Sequence, residues 1–155
     1  MDRTHDPGLV GRISRIGAQA GSQRLGATVY EIAPGAVSSP FHAHHANEEL
    51  IIVLAGSPML RTPETERPLA SGEVVSCPAG GRGAHQLRNE TSEPVRVIVI
   101  STMVYPEIVE MLDSDKVLAQ SAPPGTAARI ALAFPRAAQL DRLAGEPSPG
   151  PGVET

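Results

Sequence analysis

The chain has 155 residues, a formal net charge of −4 and a hydrophobic content of 41%, which suits one domain with a sizeable core. The charge forms no basic stripe, so a nucleic-acid partner is not expected. Its longest apolar run, residues 50–55, is far too short to span a bilayer, so no membrane partner is expected either.

A single cysteine, Cys77, excludes an internal disulfide and fits a reducing, cytoplasmic setting. The first residues, with Asp2, Arg3, His5 and Asp6, lack the apolar stretch of a signal peptide. With 15 Gly and 15 Pro the chain favours turns and short strands. It has no Trp, two Tyr and two Phe, so the core rests on Val, Ile, Leu and Ala.

In chain order, residues 1–25 are polar and glycine-rich and read as an N-terminal arm or edge strand. Residues 27–33 alternate as a strand and stop at Pro34-Gly35. Residues 41–44 and 49–55 read as two strands of a hairpin bent at 45–48, and Gly56-Ser57-Pro58 ends the second. Short strands follow at 59–62 and 67–69, around a Pro63–Glu66 loop, and at 73–77. Residues 78–83 are loop, and 84–88 is a strand with His85 and Leu87 on one face. The Val/Ile-rich run 94–103 is the strongest strand signal, and 107–112 is a further short one. Beyond it, 127–132 and 137–143 read as helical turns broken at Pro135. Residues 146–155, rich in Pro and Gly, read as a disordered tail.

The chemistry concentrates at His42, His44, Glu49 and His85. On a strand, His42 and His44 share one face, and His45 takes the other. On a helix the same pair would point about 200° apart. Three imidazoles and a carboxylate suit a divalent transition metal such as Fe, Mn, Ni, Zn, Co or Cu better than Ca or Mg. Glu48 competes with Glu49, since adjacent strand residues face opposite ways. His5 and His45 read as ordinary exposed histidines. Cys77 reads as a small packed hydrophobe, and Asn89 as a turn residue. Tyr30, Arg61 and Gln86 read as surface or rim residues able to border a pocket.

These residues carry a resemblance to the cupin superfamily. Gly35, His42, His44, Glu49 and Gly56 follow its first motif, G-x5-H-x-H-x(3,4)-E-x6-G, with six residues in place of five after Gly35. The gap to Gly56 selects Glu49 over Glu48. Gly72, Pro78, Gly80, His85 and Asn89 follow the second motif, G-x5-P-x-G-x2-H-x3-N, with four residues in place of two after Gly80. Residues 24–116 resemble small bacterial single-domain cupins with a type-2 domain, a group that brings no fixed reaction with it. The resemblance implies an all-β double-stranded β-helix, or jelly roll, over 26–112. An irregular or helical extension over 113–145 would follow. His85 would reach across the barrel mouth to the first motif.

The implied function is a metalloenzyme of oxygenase, isomerase or lyase type acting on a small molecule. The alternative is a metal-dependent binding or sensing module without turnover. Few aromatics argue against a pocket built for stacking. Residues 50, 52 and 54 point opposite to 49, 51 and 53, yet both sets are apolar. The outward set needs a cover, either the chain's own termini or a second copy in a homodimer.

Overall fold

Aliphatic and β-branched runs cut by Gly and Pro leave little room for helix, and the computed structural model is mainly antiparallel strand. It describes residues 11–124, 126–127 and 129–146. Strand β1 (Arg12–Ser14) is followed by a short helix α1 (Ile16–Gln19) and β2 (Gly26–Ile32). Then come β3 (His42–His44), β4 (Glu49–Ala55), β5 (Met59–Arg61), β6 (Glu66–Pro68) and β7 (Val74–Cys77). A 3-10 turn at Gly81–Gly83 leads into β8 (Gln86–Arg88) and β9 (Val95–Ser101). The last strands are β10 (Glu107–Met111), β11 (Lys116–Gln120) and β12 (Ala131–Pro135).

These strands form three sheets, in the orders β1-β2-β9-β4-β7, β12-β11-β10-β3 and β6-β5-β8. The all-β, jelly-roll class expected from the motifs is the one observed. Alternation along β4 turns Ile51 and Val53 inward against Val95 and Val97 of β9 and Ile32 of β2. Leu60, Leu69 and Leu87 close the same core, and each of these eight side chains is 2% exposed or less. Fully burying a side chain of this size stabilises by about 1.5–3 kcal/mol. Within the expected arm, β1 is an edge strand on β2, in register Ile13 to Tyr30, and residues 1–10 lie outside the described residues.

Two expectations change. The strands carrying His42 and Glu49 do not form a hairpin: β3 pairs with β10, whereas β4 pairs with β7 and β9. The link 45–48 instead crosses between sheets, and buried polar groups pin it there. Asn47 Nδ2 donates to Val104 O, and Asn47 Oδ1 accepts from Thr102 Oγ1 and Val104 N. Glu107 Oε1 accepts from the backbone N–H groups of His45 and Ala46, each at 3.0 Å.

The C-terminal segment is also more strand-like than expected. The helical turn read at 127–132 gives way to β12, in register with β11 from Lys116–Pro135 to Gln120–Ala131. The exposed edge of β11 offers backbone partners, and those outweigh the helical preference of isolated alanines. Over the 137–143 stretch the structure has a 3-10 segment at Arg136–Ala138 and a separate turn in which Ala144 N donates to Asp141 O. The tail expected to be disordered lies, apart from Glu146, outside the described residues.

Candidate metal centre

Strand phase and register bring His42, Glu49 and His85 into one group, with His44 beside His42. His42 and His44 alternate with the fully buried Ala43 on β3. His85, just before β8, forms an antiparallel bridge with His42, with backbone N–O distances of 3.3 and 2.9 Å. His85 is therefore the immediate neighbour of His42, and does not reach over from the far side as expected. The residue that crosses is Glu49, the first residue of β4 in the opposing sheet.

His42, Glu49 and His85 each offer a ligand atom, all within 4.8 Å of one another. His85 Nε2 lies 3.2 Å from Glu49 Oε2. His44 Nε2 lies 3.1 Å from His42 Nε2 and 3.7 Å from Glu49 Oε2. His45 faces away and meets Glu110 at 3.4 Å. Glu48 is exposed and accepts from Ser76 Oγ at 3.2 Å.

The donor set fits a metal on two observations. First, the rings of His42 and His85 are held in the ligating tautomer. His42 Nδ1–H donates to Pro40 O and His85 Nδ1–H to Gly83 O, both at 2.9 Å, which leaves each Nε2 to the cluster. Secondly, the close Nε2–Nε2 contact of His42 and His44 is repulsive between bare lone pairs, and either a hydrogen bond from one ring to the other or a shared metal relieves it. Burial, followed by the neighbouring His85 and His44, pushes His42 down to about 4. That keeps the ring neutral, as a ligand must be.

Burial works against charge on His85. Its contacts with Cys77 and Glu49 outweigh burial and push it well above the usual histidine range. Burial alone would raise Glu49, but the hydrogen bond from His85 and the imidazole charges hold it below the usual carboxylate range. In the absence of metal, then, a proton occupies the His85–Glu49 contact.

The cluster opens into a cavity of about 260 Å³. Ile51, Leu87, Val99, Val109, Met111 and Leu118 supply its apolar wall, and Tyr30, Ser38, Ser39 and Gln120 its polar positions. Burial and then the charge of Glu49 raise Tyr30, so its hydroxyl keeps its proton. Two other rim candidates are engaged elsewhere. Arg61 makes a bidentate pair with Asp113 at 2.8 Å and stacks over Phe41. Gln86 is buried and donates to Ser39 O. Cys77 is a buried core residue opposite Glu49 in the β4–β7 register. Asn89 makes the expected turn, with Oδ1 accepting from Thr91 N and Nδ2 donating to Glu93 O.

Sequence reasoning passed over Glu107, which is 2% exposed and lies beside His44. The available signal was strand phase. Glu107 shares a face with Val109 and Met111, so an acid occupies an inward, apolar position.

The fold and the cluster define a class: a small all-β protein with a group able to hold a metal at the floor of a cavity. A family profile described as a cupin domain matches residues 28–101, and the chain carries a cupin domain there. It is similar to the structure of a candidate sugar phosphate isomerase from Acidithiobacillus ferrooxidans. That match has 26% identity and a TM-score of 0.76, covering 88% of this chain and 83% of the other. A sugar phosphate isomerase of the cupin superfamily from Silicibacter pomeroyi also matches at 26% identity and a TM-score of 0.74, with coverages of 81% and 76%. The polyketide cyclase RemF from Streptomyces resistomycificus matches at 26% identity and a TM-score of 0.50, covering 58% and 63%. No curated protein matches the chain.

Proposed function

We propose that the protein is a metal-dependent isomerase of a small hydroxy-carbonyl compound of the sugar class. In this reading His42, His44, Glu49 and His85 hold one divalent transition metal. The observation that carries it is the convergence of His42, Glu49 and His85 within 4.8 Å beside the cavity. Among the three reaction types the motifs allow, isomerisation is favoured by the two similar structures named as sugar phosphate isomerases.

When bound, the metal would polarise a carbonyl and its neighbouring hydroxyl. The chain's own groups bind and orient the substrate. Tyr30, which keeps its proton, can donate to a substrate oxygen. Ser38, Ser39 and Gln120 offer donors and acceptors to hydroxyl groups. The aliphatic wall excludes water. None of the described lining residues is Lys or Arg. A phosphate would therefore seat beside Gln120, whose Oε1 accepts from Arg129, a residue that also donates to Ala122 O at 2.8 Å.

A second reading is metal-dependent binding without turnover. The cavity lining favours it in one respect: its only imidazoles and carboxylate are the four proposed ligands. The reading also includes a cytoplasmic setting and a homodimer. Leu50, Leu54 and Val74 are exposed on the outer face of β4 and β7, and residues 131–146 do not cover them. Sedimentation analysis checks the dimer.

The test is to incubate metal-loaded protein with aldose and ketose sugars, with and without phosphate, in heavy water. Deuterium entering beside the carbonyl, and lost in His42→Ala plus His85→Ala, is the expected result. A ligand held without exchange supports the second reading. Protein that carries no transition metal, and whose stability the double variant leaves unchanged, sinks both. If the substrate is phosphorylated, Arg129→Ala should raise KM for it about tenfold, as expected for a lost charged contact, with little effect on its unphosphorylated analogue.

A further inference from the structure

The structure leaves two buried polar atoms facing each other without a hydrogen bond, His44 Nδ1 and Glu107 Oε2. They are 3.6 Å apart. A buried polar atom without a partner is destabilising, and in a native fold it calls for a reason. The other two imidazoles of the cluster show what is missing. His42 and His85 each donate Nδ1–H to a backbone carbonyl at 2.9 Å and turn Nε2 to the cluster. His44 also turns Nε2 to the cluster, toward His42 and Glu49. No backbone carbonyl accepts from its Nδ1; a carboxylate stands there instead.

That carboxylate is rigidly placed. Glu107 is 2% exposed, and its Oε1 accepts from the N–H groups of His45 and Ala46. Those residues follow His44 directly, so one side chain grips both the ring and the turn that leaves it. Register adds a second constraint. Val109, two residues along β10, pairs with His44.

We propose that Glu107 is a positioning residue for the metal centre. Its Oε2 accepts the Nδ1–H of His44 and holds Nε2 free as the third imidazole ligand. The inference rests on the metal reading above and adds to it a fifth residue that never touches the metal. Bringing the two atoms into hydrogen-bond range takes a ring movement of about half an ångström. The carboxylate does more than a carbonyl would. It strengthens His44 as a donor, and with Glu49 it gives the site two negative charges to balance a divalent cation.

The decisive variant is Glu107→Gln. The two backbone N–H groups need an acceptor, so the amide oxygen stays with them and the NH2 group faces His44 Nδ1. The ring then presents a lone pair at Nδ1 and a proton at Nε2, the wrong arrangement for a ligand. Cobalt(II) affinity, measured by chelator competition, should fall 10- to 100-fold. Glu107→Asp, which keeps the charge on a shorter arm, should fall in between. In NMR spectra of cobalt-loaded wild type, three shifted imidazole N–H signals are expected, with one lost in Glu107→Gln. Equal affinity and three signals in the variant would overturn the proposal.

A measurement on wild type alone guards against a variant that fails to fold. In zinc-loaded, 15N-histidine-labelled wild type, Nδ1 of His44 should carry a proton. A bare Nδ1 there overturns the proposal. Wild type that binds neither cobalt nor zinc defeats the metal reading, whereas a bare Nδ1 in the loaded protein defeats the role of Glu107 alone.

Discussion

His42 and His85 are cross-strand neighbours pushed in opposite directions, and the pH dependence of the metal-free protein should show it. Burial and neighbouring histidines take His42 from an ordinary 6.5 down to about 4. The unfolded chain therefore binds a proton that the folded chain refuses, and stability falls as pH drops from 6.5 to 4. At about 1.4 kcal/mol per pH unit the loss is about 3 kcal/mol. His85 is raised, so its contribution is full below the unfolded value and is lost as pH rises through the folded one. Urea melts in the presence of chelator should trace a dome with its top near the ordinary histidine value. His42→Asn should flatten the acid side and His85→Asn the alkaline side; a flat profile for the wild type would contradict both assignments. At this scale the sequence was informative wherever strand phase alone decides orientation. His45 points away from the cluster and Glu48 lies on the outer face, as alternation requires. Strand phase marks Glu107 as an inward acid, but its partner was not legible, because the ring it faces is far away in the chain and only the β3–β10 pairing brings it alongside.

The strands themselves were legible from alternation and turn residues, but their partners were not. The expected β3–β4 hairpin has the right residues and the wrong neighbours, because pairing is settled by long-range contacts. The clue lay in the bend, where Asn47 is buried at 3% exposure and bonds to Thr102 and Val104. Asn47→Ala would strand the N–H of Val104 and should destabilise by about 2–3 kcal/mol, read as a lower urea midpoint. The glycine-rich loop makes a sharper case. A Cβ at Gly83 would lie 1.7 Å from Pro78 O, a backbone atom that cannot step aside. The same residue's carbonyl anchors His85 Nδ1, and Gly80 N donates to His44 O at 2.7 Å. Gly83→Ala should therefore cost several kcal/mol, about 3 or more, and lose metal along with stability. Gly81→Ala meets nothing within 4 Å and serves as the control that should change neither.

For the whole molecule, the arrangement of the proposed ligands across sheets matters more than their number. His42 and His44 belong to the β12-β11-β10-β3 sheet, Glu49 to the β1-β2-β9-β4-β7 sheet, and His85 precedes β8 of the third. A metal held by this set would tie three sheets that otherwise meet through side-chain packing, loops and the backbone bridge between His42 and His85. It would bind the folded chain and find no preformed site in the unfolded one, so its binding energy adds directly to folding. At a free metal concentration one hundred times the dissociation constant the gain is about 2.7 kcal/mol. For a domain of this size that corresponds to a rise in melting temperature of about 5–10 °C. The rise should disappear with chelator and in Glu49→Gln, which removes the only ligand of the five-stranded sheet while keeping its shape. It should shrink, without disappearing, in Glu107→Gln, where the ligand atoms remain and only the orientation of His44 is lost. Differential scanning calorimetry with and without cobalt, on wild type and both variants, makes the comparison. Equal shifts in all three would mean that the metal stabilises from somewhere other than this junction of sheets.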